Sequence, residues 1–137
     1  VQITANVTNS ASAHTVTVST AGRSKSLAVP ARLGGQGSAV NGGEFLMLAL
    51  ATCYCNDIYR EAARLDVQVS AVEVEATADF EGVGLAASNI RYKARVSSSA
   101  TDAEVAALLL QTDAVAEVHN TMRRGVAVQL LPWTPET

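Results

Sequence analysis

Apolar and polar positions alternate with a period of two at both ends of the chain and crowd together in its middle. In residues 2–9, QITANVTN, and 14–20, HTVTVST, apolar side chains alternate with Thr, Ser and Asn. That is the pattern of half-buried strands, and residues 10–13 supply the turn of a hairpin. A second turn at Ala21, Gly22, Arg23 and Ser24 leads into a short strand over 25–29. Pro30 ends it, because proline has no N–H to give to a ladder. Residues 31–40 read as a loop carrying Gly34, Gly35 and Gly37. Without the Lys-Ser/Thr pair of a P-loop, this is a flexible connector rather than a phosphate cradle.

The middle of the chain, residues 41–64, reads NGGEFLMLALATCYCNDIYREAAR and predicts one long helix. Asn41 with Glu44 three positions on forms a capping box, in which the Asn side chain accepts a backbone N–H and the Glu reaches back to the cap. From 45 to 51 every position is apolar, so a helix turning ~100° per residue is expected to be sheathed by protein on all sides. The run is too short to cross a bilayer, which takes about 20 apolar residues.

After the helix, Val72, Val74, Ala76, Ala78 and Phe80 alternate with Glu73, Glu75, Thr77, Asp79 and Glu81. The next strand sets Ile90, Tyr92, Ala94 and Val96 against Arg91, Lys93 and Arg95. A hairpin through 82–88 then pairs an acidic outer face with a basic one, which fixes register. Thr101 and Glu104 form a second capping box for a helix through Leu110. Thr112 or Asp113 caps another helix that runs to Arg124, where Gly125 stops it. A last strand is expected at 126–131, ended by Pro132, with WTPET as a tail. The order β-β-β-α-β-β-α-α-β describes a single α+β domain over residues 1–137, with antiparallel sheets around a long central helix.

Length and composition narrow the function. A chain of 137 residues buries about 68% of its unfolded surface without disulfide or metal staples. With 17% charged residues and a net charge of −3, it lacks the basic surface that nucleic acid requires. Two cysteines on one helix make no secreted disulfide framework and no signal peptide opens the chain, so a cytoplasmic location is expected. The chain starts at Val1, which leaves the true N-terminus open.

The candidate chemistry is in the two cysteines. Cys53 and Cys55 diverge by roughly 200° on a helix, so they are not expected to form a disulfide with each other. Cys55 shares a face with Leu48, Ala51, Ile58, Tyr59 and Ala62 and reads as a structural core residue. Cys53 has Leu46, Ala49 and Leu50 on one side and Asn56, Asp57 and Arg60 on the other. Such a boundary suits a reactive thiol. His119 is an accessory candidate as a base; with both cysteines its spacing matches no zinc motif, so no metal or other cofactor is expected. His14 has no assignable role.

These residues carry a resemblance. A Gly-rich loop followed by N-x-x-E-[FL]-L-x-L-A-L-x-x-C, and later VHNTM ahead of Arg-Gly, is similar to the OsmC/Ohr family of hydroperoxide-handling proteins over nearly the whole chain. The resemblance implies an intertwined homodimer with Cys53 as peroxidatic cysteine in a pocket at the subunit interface. It implies thiol-dependent reduction of organic hydroperoxides in oxidative-stress defence, with no metal or flavin. It implies too that Arg32 lowers the pKa of Cys53 while Glu44 positions that Arg, Arg23 being the substitute. Glu44 is nine residues before Cys53, where the family has its Glu ten before, a slot held here by Gly43. The family's second, resolving cysteine falls at Ala116. An oxidised Cys53 would therefore need an external thiol, or Cys55 after local unwinding.

Two classes of function follow. One is a one-cysteine peroxidase acting on a small hydroperoxide with an external thiol reductant. The other is a non-enzymatic dimer of the same fold that binds a small apolar ligand. Neither involves nucleic acid or a membrane.

Overall fold

The computed structural model describes residues 1–133, so the expected tail beyond Trp133 lies outside the described residues. The elements are β1 (Ile3–Asn9), β2 (His14–Thr20), β3 (Arg23–Leu27), α1 (Gly42–Leu65), β4 (Ala71–Asp79), β5 (Ser88–Ser97), α2 (Asp102–Val115) and α3 (Glu117–Arg124). They form one three-stranded antiparallel sheet, β1-β2-β3, and one two-stranded antiparallel sheet, β4-β5. The α+β class and the element order through α3 are as expected from the sequence. The chain divides into two compact units, Val1–Leu46 and Met47–Thr137.

In the first unit, Ala21 and Gly22 take positive φ angles of 50° and 79° between the paired residues Thr20 and Arg23. A two-residue hairpin turn of this kind needs left-handed backbone, and Gly22 supplies half of it at no steric cost. β3 therefore begins at Arg23, two residues before the expected start. The glycine loop is more ordered than a flexible connector. Asn9 donates to the Gly35 carbonyl at 3.2 Å and accepts from the Gly37 N–H at 3.1 Å. Its amide also donates to Nδ1 of His14 at 3.0 Å, which gives that histidine a structural role. The capping box forms: Glu44 N–H donates to Asn41 Oδ1 at 2.8 Å, and Asn41 N–H donates to Glu44 Oε1 at 3.0 Å.

In the second unit, the core is one face of α1. Tyr54, Ile58 and Ala62 pack with Leu108 of α2 and with Ala116, and the inward residues Val72, Val74, Tyr92, Ala94 and Val96 of the β4-β5 sheet close over them. Ile58 and Leu108 are fully buried; each such side chain contributes about 1.5–3 kcal/mol relative to exposure. On the outer sheet face the expected charge pairing is present. Glu73 stands opposite Arg95 and Glu75 opposite Lys93, with Lys93 Nζ 3.4 Å from Glu75 and Arg95 Nε donating to Glu73 at 2.9 Å.

Three expectations need correction. α1 is not sheathed all round: Leu48 is 55% and Tyr59 46% exposed, so the stripe assigned to Cys55 is half open, and it is Cys53 that packs against the core. The second capping box is present at Thr101 and Glu104, but α2 continues past Leu110 to Val115. Neither Thr112 nor Asp113 caps a new helix. The buried Thr112 hydroxyl donates back to the Leu108 carbonyl at 2.7 Å, a bond that a residue inside a continuing helix makes. α3 starts after an extended Ala116 that offers no side-chain cap, and it ends as expected at Gly125, whose φ of 57° is left-handed. Finally, residues 126–131 form no strand among the described residues. Alternation makes a strand only where a neighbouring edge accepts it, and Val128 and Leu130 stand fully open at 100% and 97% exposure.

Candidate functional site

The thiol of Cys53 sits where α1 meets the head of α3. Tyr54 and Ile58 lie on the buried face of α1, so Cys53 and Asp57, each one position earlier, share the flank beside it. The Cys53 thiol donates to Asp57 Oδ2 at 3.6 Å and lies 3.9 Å from Glu117 Oε2, in the first turn of α3. Arg60 clamps the two acids from outside: Nη1 is 3.1 Å from Asp57 Oδ1 and 3.3 Å from Glu117 Oε1. Cys53, Asp57 and Glu117 hold their ligand atoms within 4.8 Å of one another. The acids are already engaged by the guanidinium of Arg60, so the cluster is balanced by a protein cation.

These surroundings set the proton affinities. Burial pushes the Cys53 thiol up; the Val118 backbone N–H at the head of α3 favours the thiolate; the charges of Asp57 and Glu117 oppose it, and the balance is upward. Asp57 is also raised, by burial first and then by Glu117, against the pull of Arg60. Glu117 is lowered, with its own backbone N–H the largest cause and with Asp57 and Arg60 adding to it despite burial. Of the two acids, Asp57 therefore binds a proton more readily than Glu117, and it is the one that accepts from the thiol. The arrangement can hand a proton between sulfur and a carboxylate, but it does not by itself hold a thiolate at neutral pH.

Tyr54, the next residue along α1, belongs to an aromatic cluster. Tyr54 and Tyr92 meet edge to face at 4.6 Å, and the His119 imidazole stands 4.4 Å from Tyr92 and 5.7 Å from Tyr54. Tyr54 donates to the Leu109 carbonyl at 2.7 Å, and burial pushes its hydroxyl up to about 12. Tyr92 donates to Asp113, which Arg123 Nη2 meets at 2.6 Å. His119 is buried, and neither ring nitrogen has a hydrogen-bond partner among the described residues.

Of the residues singled out from the sequence, Cys53, Cys55 and His119 are in the second unit. Both cysteines are half-buried free thiols, in keeping with their diverging directions. His119 faces the tyrosines, and its contacts are aromatic rather than a hydrogen bond to sulfur. Arg23, Arg32 and Glu44 belong to the first unit. Arg23 opens β3. The Arg32 N–H donates to the Gly37 carbonyl at 2.8 Å and its carbonyl accepts from Gly35 at 2.8 Å, so its backbone is held in the glycine loop. Glu44 spends Oε1 on the helix cap. Ala116, the expected resolving position, is fully buried at the joint between α2 and α3. The side chain that reaches toward Cys53 is that of the next residue, Glu117. The i, i+4 spacing pointed to Asp57 in advance; nothing in the sequence pattern distinguished Glu117 from an ordinary first-turn acid.

The His119 environment has a consequence for stability. Burial, then the charge of Arg123, lowers its pKa against the pull of Asp113. A histidine lowered in the folded state stabilises it fully above the unfolded value of about 6.5 and loses that contribution as pH falls toward the folded value. Denaturant midpoints measured from pH 7 downward should therefore fall in wild type before the carboxylate range is reached. In His119→Phe that fall should be absent; an equal fall in both proteins would contradict the assignment.

Residues 35–131 match the family described as OsmC-like protein. No curated protein matches the chain in sequence. Among solved structures, an OsmC-like protein from Mycoplasma pneumoniae superposes with a TM-score of 0.63 at 15% identity, covering 89% of this chain and 86% of the other. An organic hydroperoxide resistance protein OsmC from Legionella pneumophila, also described as a redox protein and regulator of sulfide bond formation, gives 0.59 at 18% identity over 90% of each chain. An OsmC-like protein of unknown function from Vibrio cholerae gives 0.57 at 15% identity, covering 88% of this chain and 93% of the other. At these identities the structures speak for the fold, and the family match speaks for kinship: the chain belongs to the OsmC-like protein family.

Proposed function

We propose that this protein is a thiol peroxidase for organic hydroperoxides that works through Cys53 alone and is returned to its reduced form by an external thiol. The observation that carries the reading is a half-buried free thiol at Cys53 with a carboxylate 3.6 Å away, Asp57, that can receive its proton during reaction although its charge opposes ionisation at rest. The name of the Legionella pneumophila relative, a hydroperoxide resistance protein, supports the same class of substrate.

In the reaction, Asp57 takes the thiol proton and the sulfur attacks the outer oxygen of ROOH. The S–O bond forms as O–O breaks, and the departing alkoxide takes a proton to leave as ROH. Cysteine is oxidised by two electrons to a sulfenic acid and the peroxide is reduced by two. A first external thiol forms a mixed disulfide with loss of water, and a second releases Cys53. The family's resolving position carries a buried Ala116, so the external thiol is integral to the cycle. Arg32, positioned by Glu44, is proposed to offset part of the opposition from Asp57 and Glu117; that role rests on the resemblance. A cytoplasmic setting belongs to the proposal as well. No helix among the described residues is long and apolar enough to cross a membrane.

Wild type should consume an organic hydroperoxide only with added thiol, at a rate that climbs with pH as Cys53 ionises. Cys53→Ser should lose at least a hundredfold in this consumption, on the order of the 10²–10⁴ range for loss of a positioned catalytic group, while Cys55→Ser should keep it. Equal consumption by wild type and Cys53→Ser would overturn the proposal.

We further propose that the working unit is a homodimer. Leu48 and Tyr59 on α1, and the apolar positions of 126–131, are open to solvent in one chain. Burying such surface is the usual driving force for association. Light scattering at micromolar concentration should give about twice the 14.2 kDa chain mass; a stable monomer at that concentration would contradict it.

A further inference from the structure

Between α1, β5 and α3 lies a cavity of about 180 Å³, lined by Leu50, Ile90, Tyr92, His119, Met122 and Arg123. We propose that it binds a small neutral phenol, an apolar ring carrying one hydroxyl, which makes the hydrogen bond that His119 lacks. The proposal does not depend on the chemistry of Cys53.

Size comes first. An engineered apolar cavity of about 150 Å³ takes up benzene, so the space here matches a single ring with one small substituent. Leu50, Ile90 and Met122 give the apolar surface such a ring would bury, and the sulfur of Met122 adds a polarisable contact suited to an aromatic edge.

Polarity decides the rest. Tyr92 has committed its hydroxyl to Asp113, and Arg123 has committed its guanidinium to the same carboxylate and its carbonyl. That wall carries matched charges and therefore calls for no charge on the occupant. His119 is different. It is 3% exposed, and both Nδ1 and Nε2 are without partners among the described residues. A buried polar group left unmatched is costly, and native proteins rarely leave one without a reason. Burial keeps the imidazole neutral, with one nitrogen donating and the other accepting. A hydroxyl is the smallest group that can either accept from the first or donate to the second. Both nitrogens are closed to bulk water, so the bond requires a small turn of the ring toward the hydroxyl.

The test titrates the full chain with phenol and, separately, with benzene, following the ¹⁵N shifts of the His119 ring. Phenol should give a saturable shift, and benzene should bind about tenfold more weakly, the scale of one buried hydrogen bond. Met122→Trp, which fills the cavity, should lose the phenol response. No saturable shift with phenol, equal affinity for the two ligands, or an unchanged response in Met122→Trp would each overturn the proposal. If Met122→Trp does not fold, the comparison of phenol with benzene on wild type still decides. Peroxide consumption plays no part in these readings, so their failure leaves the Cys53 proposal standing, and the reverse.

Discussion

One face of α1 determines where the titratable groups of the second unit stand. Tyr54, Ile58 and Ala62 must meet the β4-β5 sheet and α2, since they are the apolar side chains that close that core. With the helix rotation fixed by this packing, Cys53 and Asp57 fall on the flank toward α3 and Cys55 falls on the other flank. The joint at Ala116 then brings the head of α3 to the same place, with Glu117 and the Val118 N–H aimed at the sulfur. The packing of a few apolar residues thus dictates the electrostatics of the thiol.

Those electrostatics run against easy ionisation. A reactive cysteine is usually made by a cation or a helix N-terminus beside the sulfur. Here the helix N-terminus is present, but its first turn carries Glu117, and Asp57 adds a second acid from α1. Arg60 is spent on the two carboxylates. What remains is a thiol that can pass its proton to Asp57 but holds it firmly at neutral pH. Membership of the OsmC-like family accounts for the fold, while Asp57 and Glu117 oppose ionisation of the Cys53 thiol.

Much of the fold was legible because it rests on local rules. The alternation in β1, β2, β4 and β5, the two capping boxes and Gly125 each announce themselves within a few residues. The acidic and basic outer faces of the β4-β5 hairpin were expected to pair, and the register the structure adopts sets Glu73 opposite Arg95. What escaped depends on longer reach. The continuation of α2 through Thr112 follows from that hydroxyl turning back to Leu108, a choice made because the site is buried. The stripe assigned to Cys55 is only half covered, with Ile58 and Ala62 buried but Leu48 and Tyr59 open, because an apolar helix segment does not say which of its faces the chain will cover. Residues 126–131 have the right alternation but find no edge among the described residues. At the site, Cys53 and Asp57 could be read from helical spacing; Glu117 could not, because it is sixty-four positions away along the chain.

The state of the Cys53 thiol is the point on which this account turns. The most direct measurement is the ultraviolet absorbance of the thiolate in Cys55→Ser, recorded across pH on the folded full chain. The expected result is ionisation of Cys53 above the ordinary thiol value of about 8.5, moving down when Asp57 is replaced by Asn. A thiolate already formed at neutral pH, unchanged by Asp57→Asn, would contradict it.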